Sequence, residues 1–407
     1  MADRGETLGE KVKALRREAG VDQRGLADVL KRSVSWVSQV ERGEIVVGDV
    51  GMLQRLAAAL GVPSRELVEL ALGDEAGDAE RQRPYVEALR VALAGHPAPR
   101  AALGLPAQTR RAVSRDKFLR PLARAWELVH ASAFDELGPL LAELIPALEI
   151  ASRRSDDVQR AELLAWLADA YQIAAAMLVK VGDLGAGWIA ADRAISAGER
   201  CGNQALVMAG QLRMAHTFVN ASEDPLALHV LRQAVSVAGA LRADTEPGVV
   251  SLTGACALLL AVLEARRGHA EEARQHLVVA ATLAKRLGGD RNDHGTEFGP
   301  TNVALHRVAV AVELGNAAEA LELAAGVDAS VLSPERQSRF LVDVARAHTQ
   351  RRAVSAAVAA LLEAERIAPA EVTESRRVRQ LLGDLEHIAG GRPAPGLRAL
   401  RRRSTHN

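Results

Sequence analysis

The sequence predicts an all-α protein with two parts: a small N-terminal helical domain and a long array of helical repeats. Apolar residues recur with a helical period from about residue 7 to about residue 70. From about residue 116 to about residue 385 the chain is rich in Ala and Leu, without a convincing strand pattern. Turn signals recur along this long region at similar intervals, which is typical of stacked helical repeats.

Residues 23–43 predict two short helices joined by a tight turn. In the first helix Leu26 and Leu30 share one face. Ser33 is placed to cap the second helix, which covers residues 34–42 and is followed by a glycine. Two such helices, the second with a polar outer face, form a helix-turn-helix, a unit that places one helix in the major groove of DNA.

Residues 7–70 resemble the phage-repressor/Cro type of helix-turn-helix, also called the xenobiotic-response-element family. The matching residues occur in the family's order: Gln23, Leu26-Ala27, the Ser33-capped helix, VERG at 40–43 and LQRLAAALGVP at 53–63. The chain departs from the family at Lys31, where members usually have glycine in the turn. The resemblance implies a five-helix, lambda-repressor-like DNA-binding domain.

The resemblance also assigns DNA contacts to residues of this domain. The positions that would read base edges are Val34, Ser35, Ser38 and Gln39. The positions that would hold the phosphate backbone are Gln23, Ser33 and Arg42. Trp36 either stacks on the sugar-phosphate backbone or covers the first helix. Arg16 and Glu41 match an ion pair that locks the first helix onto the third.

Positive charge is concentrated in this region although the whole chain is neutral, with 51 basic and 51 acidic residues. Between Lys11 and Arg42 there are eight basic residues and four acidic ones. Phosphate binding requires a local excess of this kind. The charge pattern therefore agrees with the DNA contacts that the motif implies.

Five segments of the long region each contain a helix, a short turn and a second helix. The turns fall at Gly182-Asp183, Ser222-Glu223, Gly268-His269, Gly315-Asn316 and Arg352-Ala353. A small residue follows each turn start by five positions: Gly187, Ala227, Ala273, Ala320 and Ala357. Seven residues further stand Ala194, Ala234, Ala280, Val327 and Ala364. These offsets resemble the tetratricopeptide repeat (TPR), and a less regular sixth unit is predicted to turn at Ser132-Ala133.

The segment FGPTNVALHRVAVAVELGNAAEAL, residues 298–321, resembles actinobacterial regulators that join this helix-turn-helix to TPR repeats. The intervals between turns exceed the nominal repeat length of about 34 residues, so we expect the extra length in inter-repeat loops. We expect four regions. They are a DNA-binding domain (1–72), a linker with a short helix (73–115), a TPR-like α-solenoid (116–390) and a basic, disordered tail (391–407).

In a TPR array the first helix of each pair lines a concave groove. The turn register places these residues there: Trp126, His130, Asp169, Gln172, Lys180, Arg213, His216, Asn220, Arg266, Asn302, His306, Arg339, Arg346 and Gln350. The predicted effector contacts among them are Arg213, His216, Asn220, Arg266, Asn302 and His306. Amides can pair with a peptide backbone and arginines with a carboxylate, although a solvated concave surface is polar in any case.

Other function classes find little support in the sequence. The loop DRNDHGTEFGP at 290–300 contains Asp293, His294 and Glu297, but their spacing fits no standard metal motif. No nucleophile elbow, phosphate loop or dinucleotide fingerprint occurs, so we expect no metal, no cofactor and no enzymatic activity. Without a signal peptide or a sufficiently long apolar run, the chain is expected to be cytoplasmic.

The leading hypothesis is a transcription factor whose TPR domain dimerises and senses a peptide or small-molecule effector. Its helix-turn-helix would bind a double-stranded operator with two half-sites. The domain order is similar to that of peptide-sensing quorum regulators of Gram-positive bacteria. The alternative is an adaptor whose repeats dock a partner protein, with DNA binding secondary. An antitoxin-like autorepressor is disfavoured because such proteins rarely carry a long repeat array.

Overall fold

The computed structural model describes residues 8–30, 32, 34–42, 50–63, 67, 84–94, 115–240, 246–390 and 396–405. The chain divides into two compact units, residues 1–83 and residues 84–407. The described helices of the first unit are α1 (Leu8–Glu18), α2 (Gln23–Leu30), α3 (Val34–Glu41) and α4 (Val50–Leu60). Lys31, Ser33 and Gly43 lie outside the described residues, so the structure does not test the predicted cap, turn residue or stop there.

The first unit is built around one apolar core that receives side chains from all four of these helices. Its buried members include Val12, Leu26, Leu30, Val37, Val40, Leu53, Leu56 and Leu67. Asp22 caps α2, because its Oδ1 accepts a hydrogen bond from the Gly25 backbone N–H at 2.7 Å. The predicted apolar faces of α2 and α3 are therefore the ones that the fold buries.

The second unit begins with α5 (Pro84–Ala94) and continues as a series of longer helices. These are α6 (Asp116–His130), α7 (Phe134–Arg154), α8 (Asp157–Lys180), α9 (Leu184–Arg200), α10 (Gln204–Asn220), α11 (Asp224–Ala240), α12 (Pro247–Arg266), α13 (Ala270–Leu287), α14 (Pro300–Glu313), α15 (Ala317–Ala325), α16 (Pro334–Gln350), α17 (Val354–Ile367), α18 (Pro369–Thr373), α19 (Arg376–Ala389) and α20 (Leu397–Thr405). No β-strand occurs in the described part of the chain, where an isolated β-bridge joins Arg291 to Phe298.

Six helix pairs, from α6/α7 to α16/α17, are joined by three-residue turns of one geometry. In each turn the middle residue has a positive φ: Ser132, Gly182, Ser222, Gly268, Gly315 and Arg352. The next residue then donates its N–H to a carbonyl five positions earlier, as Asp183 does to Leu178 at 2.9 Å. This arrangement satisfies the last carbonyls of the first helix. The five predicted turns and the less regular sixth one are confirmed.

Small residues allow the second helix of each pair to approach the first. Gly187 shows this directly, because a Cβ atom there would lie 3.1 Å from Cγ2 of Val179. The alanines predicted at this offset and at the next one are completely buried. Val327 is the exception, since α15 ends at Ala325 and leaves Val327 half-buried in the following turn.

The first helices of successive pairs contact one another and form the inner layer of the unit, from α6 through α8, α10, α12 and α14 to α16. The end of this series also meets its beginning. Lys180 Nζ on α8 lies 3.0 Å from Glu335 Oε1 on α16 and also pairs with Glu371 on α18. Ser132 Oγ donates to Glu371 Oε1 at 2.8 Å. The solenoid-like body is therefore closed on itself through polar contacts.

Two expectations about the ends of this unit need correction. The helix α5 was expected within a linker, but it belongs to the second unit. It packs on α7, and Arg90 Nε lies 2.6 Å from Asp183 Oδ2. The tail is helical at 397–405, where Leu397 and Leu400 are fully buried and Arg403 binds Glu365 through two hydrogen bonds. The tail was expected to be disordered because its composition is basic, but its leucines fall on one face of a helix and are buried.

Two described helices, α8 and α12, are long and apolar enough to cross a membrane by length and composition alone. Their most apolar windows are 67% and 83% buried inside the unit. Burial of this extent is typical of central helices in a folded helical unit. The apolar character of α8 and α12 is thus accounted for by the inner layer that they form.

Candidate DNA-binding surface and groove site

The helix predicted to read DNA, α3, keeps several of its predicted contact residues outside the core. Val34 at its start is 43% exposed, and Ser38 and Gln39 are partly exposed. Arg42 directly follows the helix, and its guanidinium donates to the Ser38 hydroxyl. The side chain of Ser35 lies outside the described set. The base and phosphate contacts of this surface stay predictions.

Two further residues predicted at the DNA have partners inside the unit. Gln23 donates from Nε2 to Glu41 Oε2 at 2.8 Å, so at least one of its amide hydrogens is engaged within the fold. Trp36 is half-buried against the core, and the Arg32 guanidinium lies 5.5 Å from its ring centroid. This packing favours the covering role for Trp36 over stacking on the sugar-phosphate backbone.

The ion pair expected between α1 and α3 is present and buried. Arg16 Nη2 donates to Glu41 Oε2 at 3.1 Å, and its Nη1 donates to the Val21 carbonyl at 2.8 Å. Burial raises the pKa of the Glu41 carboxyl, but the hydrogen bonds from Arg16 and Gln23 outweigh it, so the pKa is lowered. The pair is therefore charged at neutral pH and fixes the orientation of α3 on α1.

In the second unit, polar residues from three inner helices meet in one small cleft. They are Arg213 and His216 on α10, Asn302 and His306 on α14, and Arg336 on α16. The apolar side of the cleft is formed by Leu212, Leu258 and Leu259. Its volume is about 20 Å³, room for one or two water-sized groups. Four of the six predicted effector contacts thus come together here.

The long loop at 290–300 crosses the inner helices beside this cleft. Gly295, with φ 64°, packs under Trp126 of α6, where a Cβ atom would lie 2.0 Å from the indole ring. Phe298 is fully buried against Gly254 of α12. Asn292 Nδ2 lies 3.4 Å from His130 Nδ1. The extra length that was expected in an inter-repeat loop is therefore a tertiary element that connects separate repeats.

The carboxylates of this loop are engaged by protein groups. Asp293 accepts from the Ser251 hydroxyl at 2.7 Å and from Arg291 Nε at 2.8 Å. Glu297 accepts from the backbone N–H and the hydroxyl of Ser333, both at 2.7 Å. These contacts explain why the loop holds acidic residues without invoking a metal ion.

Arg213 is the central charge of the cleft. Its Nη2 donates to the backbone carbonyls of His294 and Gly295 at 3.2 and 3.1 Å, and its guanidinium lies 5.6 Å from the Trp126 ring centroid. Burial and the nearby Arg336 lower the pKa of Arg213 to about 10, so it is still a cation at neutral pH. Its buried Nε atom has no hydrogen-bond partner among the described residues.

The two histidines of the cleft add no positive charge. Burial and neighbouring arginines lower the pKa of His216 well below its ordinary value and that of His306 to about 3. Both imidazoles are therefore neutral at pH 7. Burial raises the pKa of Asp169 to about 7, an effect that Arg213 opposes. The positive charge of the cleft therefore comes from its arginines.

The remaining two predicted effector contacts are not brought into the cleft. Asn220 is exposed and donates to the His216 carbonyl of its own helix at 2.9 Å. Arg266 Nε lies 3.3 Å from Glu313, which also binds Arg346 at 3.2 Å. Asn220 lies seven residues beyond Arg213, a displacement of about 10 Å along the helix. The turn register predicted the correct face of the helix, but it did not predict how far along the helix the cleft lies.

Arg336 is the charged residue of the cleft that the turn register did not predict. It lies three residues before Arg339, which was predicted to face the groove. Residues three apart on a helix share a face, so the spacing could have revealed it.

Comparison with known proteins identifies a domain in the first unit. The helix-turn-helix domain family matches residues 7–71. No curated protein matches the chain. A crystal structure of Bacillus thuringiensis PlcR in complex with the peptide PapR7 and DNA is 17% identical, covering 70% of this chain and 96% of that chain, with a TM-score of 0.27. At this TM-score the similarity supports no inference about function. Residues 7–71 thus form a helix-turn-helix domain.

Proposed function

We propose that the chain is a sequence-specific DNA-binding transcriptional regulator whose second unit senses a peptide or small-molecule effector. The observation that carries the proposal is the helix-turn-helix domain at residues 7–71. Its helix α3 leaves Val34, Ser38 and Gln39 partly or largely accessible, with Arg42 directly behind them. The protein acts in the cytoplasm and is not an enzyme.

The chemistry of α3 suits the edges of bases in the major groove. The Gln39 amide can donate to and accept from adenine, and the exposed Val34 can pack on a thymine methyl group. Arg42 adds a phosphate contact together with the local excess of basic residues between Lys11 and Arg42. Gln23 supports the DNA surface through Glu41 and offers its remaining polar atoms to the phosphate backbone.

The regulator acts as a homodimer on two half-sites. A single small domain of this type buries about 600–1,000 Å² of protein surface on DNA, little for an operator-grade affinity. Domains of this kind therefore work in pairs about one helical turn apart. The repeats of the second unit supply the surface for pairing.

The second unit is a TPR-like array, and the cleft around Arg213 is its effector site. Curvature in such an array changes through small rotations at each repeat interface. In a dimer, a change of curvature alters the distance between the two recognition helices. An effector needs a preference of only about 1.4 kcal/mol between two shapes to change operator affinity tenfold.

Genome-wide mapping of bound DNA tests the proposal most directly. We expect a set of enriched sites with a shared, two-fold related sequence, and a lower affinity of the Gln39→Ala variant for these sites. Light scattering at micromolar concentration should give a dimer, at least when operator DNA is present. If binding shows no sequence preference and pull-downs recover a stoichiometric protein partner, the chain is an adaptor instead.

A further inference from the structure

We infer that the cleft around Arg213 recognises the carboxylate and the adjacent amide N–H of an N-acylated amino acid, such as the C-terminal residue of a peptide. This inference rests on the proposed function, because it specifies the chemistry of the effector. Three buried polar atoms of residues lining one cleft support it, because none of them has a hydrogen bond: Nε of Arg213, Nε of Arg336 and Oδ1 of Asn302.

The two arginine donors lack the hydrogen-bond acceptor that a buried guanidinium requires. Arg336 Nε lies 3.5 Å from Glu297 Oε2, too far for a good hydrogen bond. Glu297 cannot easily move closer, because both of its oxygens already accept from Ser333 at 2.7 Å. Arg213 lines the cleft, and its buried Nε has no acceptor in the described parts of the chain.

Arg213 also lacks a carboxylate in direct contact, since Asp169 and Glu335 act on its charge only from a longer distance. No carboxylate of the described residues lies within ion-pair distance of its guanidinium, which instead contacts two neutral carbonyls and the face of Trp126. A buried charge is costly unless it is paired and hydrogen-bonded. A ligand carboxylate supplies both, because its two oxygens match the fork of an arginine side chain.

The third atom distinguishes a carboxylate on an acylated amino acid from other anions. Asn302 is 2% exposed, and its Nδ2 donates to the Glu297 carbonyl at 2.9 Å. This bond fixes which end of the amide carries the oxygen. Oδ1 is therefore an acceptor that awaits a donor. An N-acyl amino acid provides an N–H next to its carboxylate, whereas a simple ionised carboxylate such as acetate provides no donor.

The size of the cleft agrees with the carboxylate group of this ligand. About 20 Å³ suffices for one or two water-sized groups, comparable to the two oxygens of a carboxylate. Leu212, Leu258 and Leu259 form an apolar wall that offers this carboxylate no competing polar group. The two neutral histidines leave the carboxylate to the arginines alone.

Isothermal titration of the full chain, without DNA, tests the inference with four probes. N-acetylalanine carries both groups, N-acetylalaninamide lacks the carboxylate, N-acetyl-N-methylalanine lacks the N–H, and inorganic phosphate is an anion without an amide. We expect N-acetylalanine to bind at least tenfold more tightly than each of the other three. Equal binding of N-acetylalanine and its amide, or stronger binding of phosphate, overturns the inference without any variant.

Three variants then assign the groups. Arg213→Lys keeps the charge but removes the fork, and should weaken N-acetylalanine binding at least tenfold. Asn302→Ala should abolish the preference for N-acetylalanine over its N-methyl analogue while preserving the preference over the amide. Arg274→Lys, on the exposed side of α13, is the matched control and should bind as the native chain does. Circular dichroism confirms that each variant is folded.

The outcomes separate this inference from the proposed function. If N-acetylalanine shows the expected selectivity but genome-wide mapping finds no operator, the inferred carboxylate site is supported and the proposed regulator function is wrong. If operator binding is found but Arg213→Lys binds N-acetylalanine as tightly as the native chain, the regulator stands and this site is wrong.

Discussion

Lys180 is the residue whose replacement tests whether the repeat array is closed on itself. Its ammonium group pairs with Glu335 and Glu371, and the three side chains are only 18%, 10% and 11% exposed. Lys180→Met keeps most of the aliphatic length of the side chain and removes its charge. Two nearly buried carboxylates on α16 and α18 then lose their shared cation.

The structure sets the size of the effect. Removing one partner of a buried ion pair costs about 3–5 kcal/mol. Glu335 retains Arg339 at 3.6 Å, and Glu371 retains the Ser132 hydroxyl at 2.8 Å. We therefore expect the lower end of the range, about 3 kcal/mol, which is roughly a hundredfold in the equilibrium between closed and open arrays.

Hydrogen–deuterium exchange of the full chain at pH 7 measures this opening helix by helix. Amides of α16 and α18 should exchange roughly a hundredfold faster in Lys180→Met, whereas those at the centre of α12 should be unchanged. Lys285→Met, at an exposed position of α13, is the matched control. Adding Glu335→Gln to Lys180→Met should restore part of the protection, because one unpaired buried charge is removed.

The pH dependence of the same experiment has a defined sign. Burial raises the pKa of Glu335, but Lys180, Arg336 and Arg339 outweigh it, so the pKa lies well below its ordinary value. Stabilisation by this carboxylate is complete above the ordinary pKa of a glutamate and disappears only as the pH falls through the lowered pKa.

If exchange of the α16 and α18 amides in Lys180→Met rises less than about threefold at pH 7, the Lys180 contact does not hold the array closed.

Five other substitutions have expected outcomes. Gln39→Ala should reduce the free energy of binding to the cognate operator by about 1–3 kcal/mol and change binding to random DNA little. Arg42→Ala should weaken binding to all DNA and reduce the slope of log affinity against log salt concentration by about one. Fluorescence anisotropy measures both effects. Glu41→Gln should lower the denaturation midpoint of the first unit, because it leaves the Arg16 cation buried and unpaired. The control Glu18→Gln, at an exposed position of α1, should not lower this midpoint. The pKa of Asp169 in the folded protein is raised to about 7. Ionisation of this carboxyl therefore destabilises the fold as the pH rises from about 4 to about 7. Asp169→Asn should raise the melting temperature at pH 8 and have little effect at pH 4. Gly315→Ala should destabilise the second unit by about 1–2 kcal/mol through its left-handed backbone alone, because no atom lies within 4 Å of the added Cβ; an unchanged melting curve would contradict this.

The sequence by itself determined the helices and most of their connections. Helical periodicity depends on which residues are apolar, and a turn such as Gly182-Asp183 depends on a residue that tolerates a positive φ. Both properties are local, so they can be read without knowing the fold. The Arg16–Glu41 pair is not local, because the two residues are 25 positions apart; the family resemblance predicted it, and the structure confirms it.

The tertiary structure decided how residues far apart in sequence meet. Only the closure of the repeat array brings Lys180 on α8 to Glu335 on α16 and Glu371 on α18. The cleft depends in the same way on the loop at 290–300, whose carbonyls hold Arg213. A periodic pattern specifies the face on which a side chain lies but not its depth along the groove. For this reason Asn302 and Arg266 looked equivalent in the sequence, while the fold puts one in the cleft and the other in an ion pair.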